Sequence, residues 1–120
     1  MSERKPNMSK GYRVYLEDIL ESIRKIKAYV AGLDYEDFVS KEMVVDAVTK
    51  NLEIIGEASK HIPYDVKKKA AEVEWKKISG LRDILVHEYA GINLRIVWDV
   101  VKNKLPELER SVRGLINKSK

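Results

Sequence analysis

The stretch RDILVHEY, residues 82–89, sets four chemically capable side chains among apolar residues of helical type. Arg82 carries a planar fork of N–H donors that can hold two phosphate oxygens at once and stabilise a phosphorane-like transition state. His87 is of the one side-chain type that ordinarily titrates near neutrality, which suits general acid–base work. Asp83 stands four residues before His87, so on a helix the two are neighbours. A carboxylate there favours the imidazolium and fixes the ring tautomer. His87 would also lie in a last helical turn, where the negative end of the helix favours its protonated form. These groups suit cleavage of RNA without a metal. A base takes the proton of the 2′-hydroxyl, that oxygen attacks the adjacent phosphorus, and an acid protonates the leaving oxygen.

The helix that would carry these residues constrains them. Positions five apart, such as Arg82 and His87, stand about 140° apart around the axis. Arg82 and Tyr89, seven apart, nearly eclipse. Ile78, Leu81, Ile84, Leu85 and Val86 cover one broad apolar arc. Arg82 and Tyr89 fall inside it, and Asp83 and His87 outside. A guanidinium on a core-facing arc is costly unless paired. Arg82 therefore either meets a buried partner, such as Glu53 or Glu57, or lines a cleft. Two copies of the helix facing across a two-fold axis would place two arginines and two histidines in one cleft. The plain alternative is a capping or surface histidine at a helix end.

The remaining sequence predicts an all-α up-and-down bundle of four to five helices. Apolar residues at Tyr12, Leu16, Ile19, Ile23, Ile26, Val30 and Leu33 alternate steps of four and three, giving a long helix from about Gly11 to Gly32. Residues 33–39 read as a connection. Ser40 is the expected N-cap of a second helix over about 41–60, whose stripe is Val44, Val48, Leu52, Ile55 and Ala58, widened by Val45 and Ile54. Pro63 closes it, His61 reads as a capping residue, and a short helix is expected over 65–73. A third long helix should run from Glu74 or Trp75 to Tyr89, stopped by Gly91. Asn93 should cap a last helix, in which Pro106 either forces a kink or starts a new helix. Trp75 and Trp98 read as core or dimer-interface anchors, and Lys67, Lys68 and Lys69 as a solvated run.

Composition bounds the function. The chain has 120 residues, enough for one domain, with 44% apolar and 35% charged residues and a net charge of +4. Residues 1–10 read as a flexible polar tail, without the pattern of a signal peptide, ahead of a single domain over 11–120. No run approaches the roughly 20 apolar residues of a membrane span, so a cytoplasmic location is expected. Without cysteine there is no disulfide, thiolate nucleophile or thiolate metal site, and two histidines are too few for a histidine cage. No metal site is expected.

Arg82, four residues, His87, one residue, Tyr89 matches the R-x4-H-x-Y pattern of HEPN-domain proteins. The chain most resembles their HepT-like toxin branch, the partners of small MNT-type nucleotidyltransferases. The resemblance spans about Tyr12 to Leu115 and includes KNLEIIGEASKHIP (50–63), EWKKISGLRDILVHEYAGI (74–92) and VWDVVKNKLPELE (97–109). It implies a homodimeric HEPN bundle acting as a metal-independent endoribonuclease. Arg82 and His87 would sit in a shared cleft, with Asp83 orienting His87. It implies a nucleotidyltransferase antitoxin that uses ATP to transfer AMP to Tyr89, while the toxin itself needs no cofactor. Asn51 and Glu57 lie in the family-like second helix and are candidate supporting residues. Asp83 departs from the small polar residue, often Asn, that follows the motif arginine in the family, and its charge would weaken RNA affinity. The rival readings are a non-catalytic nucleotide- or substrate-binding subunit of a nucleotidyltransferase complex and a plain helical dimerisation domain.

Overall fold

A computed structural model of the chain describes residues 7–81, 85 and 93–118. Every regular element among them is helical. Helix α1 spans Asn7–Val30, α2 Tyr35–Ser40, α3 Glu42–Ser59 and α4 Tyr64–Lys67, the last running into a 3-10 turn at Lys68–Ala70. Helix α5 spans Trp75–Ser79, α6 Leu94–Asp99 and α7 Leu105–Lys118.

The four-three repeat of α1 becomes the centre of the core. Leu16, Ile19, Ile23 and Ile26 are almost fully buried, and α1 packs along both α3 and α7. Burying each such side chain contributes roughly 1.5–3 kcal/mol. The helix starts at Asn7, one turn earlier than the apolar pattern predicts. It stops as expected: Gly32 has φ +78, a left-handed conformation that only glycine adopts freely, and the Leu33 amide closes onto the Val30 carbonyl. Tyr15 of α1 stacks on His61 just beyond α3, and Lys27 near the other end of α1 pairs with Glu109 in the early turns of α7. Both neighbours therefore run antiparallel to α1, an up-and-down arrangement.

The segment expected to be a connection forms α2 instead. Asp34 and Asp37 make a reciprocal capping box: the Asp34 carboxylate accepts from the Asp37 amide at 2.8 Å, and the Asp37 carboxylate accepts from the Asp34 amide at 3.2 Å. The helix exists to bury Phe38, which is wholly inaccessible. Ser40 consequently does not cap α3. Its hydroxyl donates back to the Asp37 carbonyl as the last residue of α2, and Lys41 holds the N-cap position without a side-chain bond. On α3, Val48, Leu52, Ile55 and Ala58 are buried and Val44 and Val45 half-buried, but Ile54 faces outward.

Helix α5 ends earlier than expected. Its C-cap is Gly80, whose N–H reaches the Lys76 carbonyl, and helical residues recur at Leu81 and Leu85. Glycine weakens a helix interior by about 1 kcal/mol, and Gly80 stands as a single turn residue between helical Ser79 and Leu81. Asn93 caps α6 as expected, its carbonyl oxygen accepting from the Arg95 and Ile96 amides.

Pro106 stands in the first turn of α7, the second of the two outcomes expected for it, and a wider turn leads into that helix. Residues Val100–Lys104 take a π-helical turn, closed by the Leu105 amide on the Val100 carbonyl, and α7 continues from it. In a regular α-helix the Pro106 ring would collide with the carbonyl four residues back and leave it without a donor. The wider turn shifts that carbonyl aside and places Pro106 in a first turn, where no amide hydrogen is needed. No described helix is long and apolar enough to cross a membrane.

Candidate functional site

The expected catalytic and modified residues, Arg82, Asp83, His87 and Tyr89, lie outside the described residues, as do Ile84 and Val86 of the predicted apolar arc. What the structure defines is the frame on either side of them.

On the entry side, Ile78, Leu81 and Leu85 are buried, as the helical wheel predicts for the core-facing side of this segment. Ser79 is tied to the core at the same level. The Ser59 hydroxyl donates to the Gly56 carbonyl at 2.8 Å and so has a lone pair left for the Ser79 hydroxyl, also at 2.8 Å. This bond pins the end of α5 to α3 three residues before Arg82. On the exit side, the Asn93 cap fixes where the chain re-enters a helix. The two sides meet: Ile78 and Leu81 before the motif, and Ile96 and Val100 after it, border one groove of about 380 Å³. Val73 and Leu108 complete its apolar wall, and Glu74, Lys77, Asp99, Lys104 and Glu107 form its rim. Lys77 and Lys104 both approach Glu74, at 3.3 and 3.8 Å, which joins α5 to the π-turn across the rim.

Asn51 and Glu57 are placed differently from each other. Asn51, Ile55 and Ser59 follow one another at steps of four on the buried side of α3, the side that meets α5 through Ser59. Asn51 is 5% exposed. Its amide nitrogen donates to the Ala47 carbonyl at 2.9 Å, while its side-chain oxygen is buried with no hydrogen-bond partner among the described residues. Leaving such an acceptor unsatisfied costs about 1–3 kcal/mol, so it marks a place where stability is given up. Glu57 is on the outer side of α3, with its carboxylate 3.8 Å from the Lys60 ammonium and 3.7 Å from His61 Nε2. The two supporting candidates are therefore not brought together.

His61 is not a simple cap. Its ring stacks on Tyr15 with centroids 4.6 Å apart, besides approaching Glu57. Trp75 is a core residue whose indole N–H donates to the Ala70 carbonyl at 3.1 Å. Lys67 lies 5.7 Å over that indole ring, and partial burial pulls its ammonium below the usual lysine range. Trp98 is half-buried, packed on Phe38 and edge-on to Tyr35. Sequence reasoning missed that cluster, although a Tyr35–Phe38 pair three residues apart is an amphipathic helix signal.

Comparison with known proteins places this frame. No solved structure matches the chain. A protein of Caldanaerobacter subterraneus subsp. tengcongensis, provisionally named an RNase, is 43% identical over 108 residues, covering 90% of this chain and 96% of the relative. A Thermococcus cleftensis protein named probable ribonuclease HepT is 40% identical over 102 residues, 85% of this chain and 93% of the relative. A Methanocaldococcus jannaschii protein, named a gamma-glutamylcyclotransferase and provisionally an RNase, is 38% identical over 105 residues, 88% of this chain but 47% of the relative. The family model described as Ribonuclease HepT-like matches residues 19–115, which takes in α3, the R-x4-H-x-Y stretch and most of α7. With similarity of this extent, the chain belongs to the HepT-like family of HEPN proteins.

Proposed function

We propose that this chain is a ribonuclease toxin of a HEPN/MNT toxin–antitoxin pair, acting as a metal-independent endoribonuclease at a site shared between two copies. The observation that carries the reading is the R-x4-H-x-Y motif at Arg82, His87 and Tyr89, inside a family match that runs unbroken across it. The buried Ile78, Leu81 and Leu85 and the Ser59–Ser79 bond support it, because a catalytic helix must be held rigidly at its entry.

In this mechanism an imidazole of the paired His87 residues accepts the 2′-hydroxyl proton. The oxygen attacks the adjacent phosphorus, and the bond from phosphorus to the 5′-oxygen breaks. An imidazolium returns a proton to that oxygen. The products carry a 2′,3′-cyclic phosphate and a 5′-hydroxyl. Arg82 holds the non-bridging oxygens as negative charge gathers on them. Asp83 orients His87, and Asn51 supports the motif helix from α3. In neutralisation, the Tyr89 oxygen forms a bond to the α-phosphorus of ATP and pyrophosphate departs. The resulting phosphodiester places a fixed negative charge where RNA phosphate would bind.

The test is cleavage of RNA by purified protein in EDTA, wild type beside His87→Ala. Wild-type cleavage that leaves cyclic-phosphate ends, lost in the folded variant, is the expected result. Equal traces from both proteins would overturn catalysis and favour the non-catalytic nucleotide- or substrate-binding subunit.

A further inference from the structure

Outside the motif, a surface around α2 and α6 sets two cations beside two aromatic rings that touch each other, with no acid paired to either cation among the described residues. Arg95, in the first turn of α6, lies with its guanidinium carbon 4.2 Å from the Tyr35 ring centroid. Lys102, in the π-turn, holds its ammonium 5.3 Å from the Trp98 centroid. Tyr35 and Trp98 contact each other edge-to-face at 6.2 Å, and Phe38 buttresses Trp98 from beneath at 5.0 Å. The result is a continuous strip of cation, ring, ring and cation across α2 and α6.

The ring contacts, together with the lack of an ion pair, set these two cations apart from the arginines of the long helices. Arg13, Arg24 and Arg113 are each bound to a glutamate one turn away on their own helix. Arg95 and Lys102 are exposed and have no carboxylate partner among the described residues. The carboxylates on the same elements are mostly engaged: Asp34 and Asp37 close the α2 capping box, and Asp99 accepts from the Asn103 amide at 2.6 Å. Glu36 is the exception. Arg95 also sits at a helix N-terminus, where a cation is electrostatically disfavoured, and no acid occupies that first turn to compensate. Ring contacts hold both cations in fixed directions while leaving their outer sides to solvent.

We infer that this strip is a binding track for the sugar–phosphate backbone of single-stranded RNA, close along the chain to the motif. The inference rests on the ribonuclease reading for the identity of the strand. Arg95 and Lys102 are seven residues apart on nearly one helical face, a rise on the order of 10 Å, so a short run of nucleotides spans them. Arg95 follows Tyr89 by six residues, which keeps the track within reach of the motif. The outer face of a guanidinium stacked on tyrosine also accepts a nucleobase without regard to sequence. The strip would therefore raise affinity and orient the strand, and leave the choice of cleavage site to other contacts.

The experiment uses the full chain carrying His87→Ala, so that binding is read without cleavage. Anisotropy of a labelled single-stranded oligoribonucleotide is measured in EDTA over a range of salt concentrations. Adding Arg95→Gln and Lys102→Gln together should weaken binding roughly tenfold and flatten the salt dependence by about 1.4, the loss of two single-strand phosphate contacts. Lys50→Gln, on the exposed side of α3, should change neither. RNA should also alter the Trp98 emission, a change lost in Trp98→Phe, because Trp75 is buried and already hydrogen-bonded. Unchanged affinity and slope in the double variant, with circular dichroism unaltered, overturns the track while wild-type cleavage leaves the ribonuclease reading standing. Loss of binding to a nucleotidyltransferase with RNA affinity intact would make the strip a protein-docking surface and overturn it equally. Wild-type protein that neither binds nor cuts RNA overturns both.

Discussion

Asn51→Leu should make this protein more stable and less active. The two side chains have the same branching and the same number of heavy atoms, so the substitution removes polarity with little change of shape. Asn51 is 5% exposed, and its side-chain oxygen has no partner among the described residues. Removing a buried, unsatisfied acceptor returns about 1–3 kcal/mol. Against that stands the amide donation to the Ala47 carbonyl, a neutral bond whose net contribution is about 1 kcal/mol. That carbonyl also lies at the position where the α3 ladder accepts the Asn51 backbone amide, so it is not orphaned by the change. Leucine adds a few tenths of a kcal/mol of helix propensity. The net expectation is a gain of about 1 kcal/mol or somewhat more, which for a chain of this size raises the melting temperature by roughly 3–5 °C. Melting is followed by circular dichroism at fixed protein concentration, since a dimer's midpoint depends on it. RNA cleavage in EDTA is measured on the same preparations and should fall by about tenfold or more if the oxygen serves the motif helix. A melting temperature lowered by several degrees would refute the reasoning, because it would mean that the oxygen is hydrogen-bonded in the working protein. A stabilised variant with full activity would remove Asn51 from the site.

Two further perturbations test the frame. Glu109 joins α1 to α7 by accepting from Lys27 at 3.1 Å and from Arg113 at 3.0 Å. Burial pushes its carboxyl upward, but these two cations more than offset it and hold it below the usual glutamate range. A depressed folded-state value means the contribution is complete above the ordinary glutamate value of about 4.3 and is lost as pH falls through the folded value. Glu109→Gln should therefore cost roughly 1 kcal/mol in urea unfolding at pH 7, reduced by the exposure of both cations, and the gap to wild type should narrow as pH falls below the ordinary glutamate range and close once the folded carboxyl is protonated. A gap that does not narrow with acidification would show that the loss is one of packing. Phe38→Ala should cost about 3–5 kcal/mol, since the ring is wholly buried beneath Trp98. The urea midpoint should fall with little change in slope, and a loss under about 1 kcal/mol would mean that α2 does not anchor the bundle.

The sequence discloses the long elements because their signal is local and repeated. The four-three spacing from Leu16 to Val30 states both that α1 is a helix and which side it buries. Gly32 and Asn93 are equally legible, since a left-handed turn and an N-cap each depend on one residue's own chemistry. The short elements were hidden where two local rules compete. Ser40 is a good N-cap by type, yet its hydroxyl is claimed by the Asp37 carbonyl, because the Asp34–Asp37 box has already begun a helix at Tyr35. Ile54 is apolar and one step from the stripe of α3, but a helix flanked by α1 and α5 has only so much buried circumference, and Ile54 falls beyond it.

The candidate site was legible in composition and hidden in geometry. The motif names Arg82, His87 and Tyr89 without any structure, because a metal-free phosphoryl transfer needs few residue types and the family fixes their spacing. The contacts that would hold a strand there depend on which helices lie side by side, and no period along the chain encodes that. Tyr35 and Trp98 are 63 positions apart, and only the docking of α2 on α6 makes them one surface. The π-turn compelled by Pro106 belongs to the same class. Its cause is a single missing amide hydrogen, but its effect is to set the direction of Lys102 above Trp98. A residue placed by packing in this way is exposed and polar in the sequence, indistinguishable there from a solvated lysine. The Trp98 ring beneath it, brought there by packing, is what sets Lys102 apart from a lysine that meets only solvent.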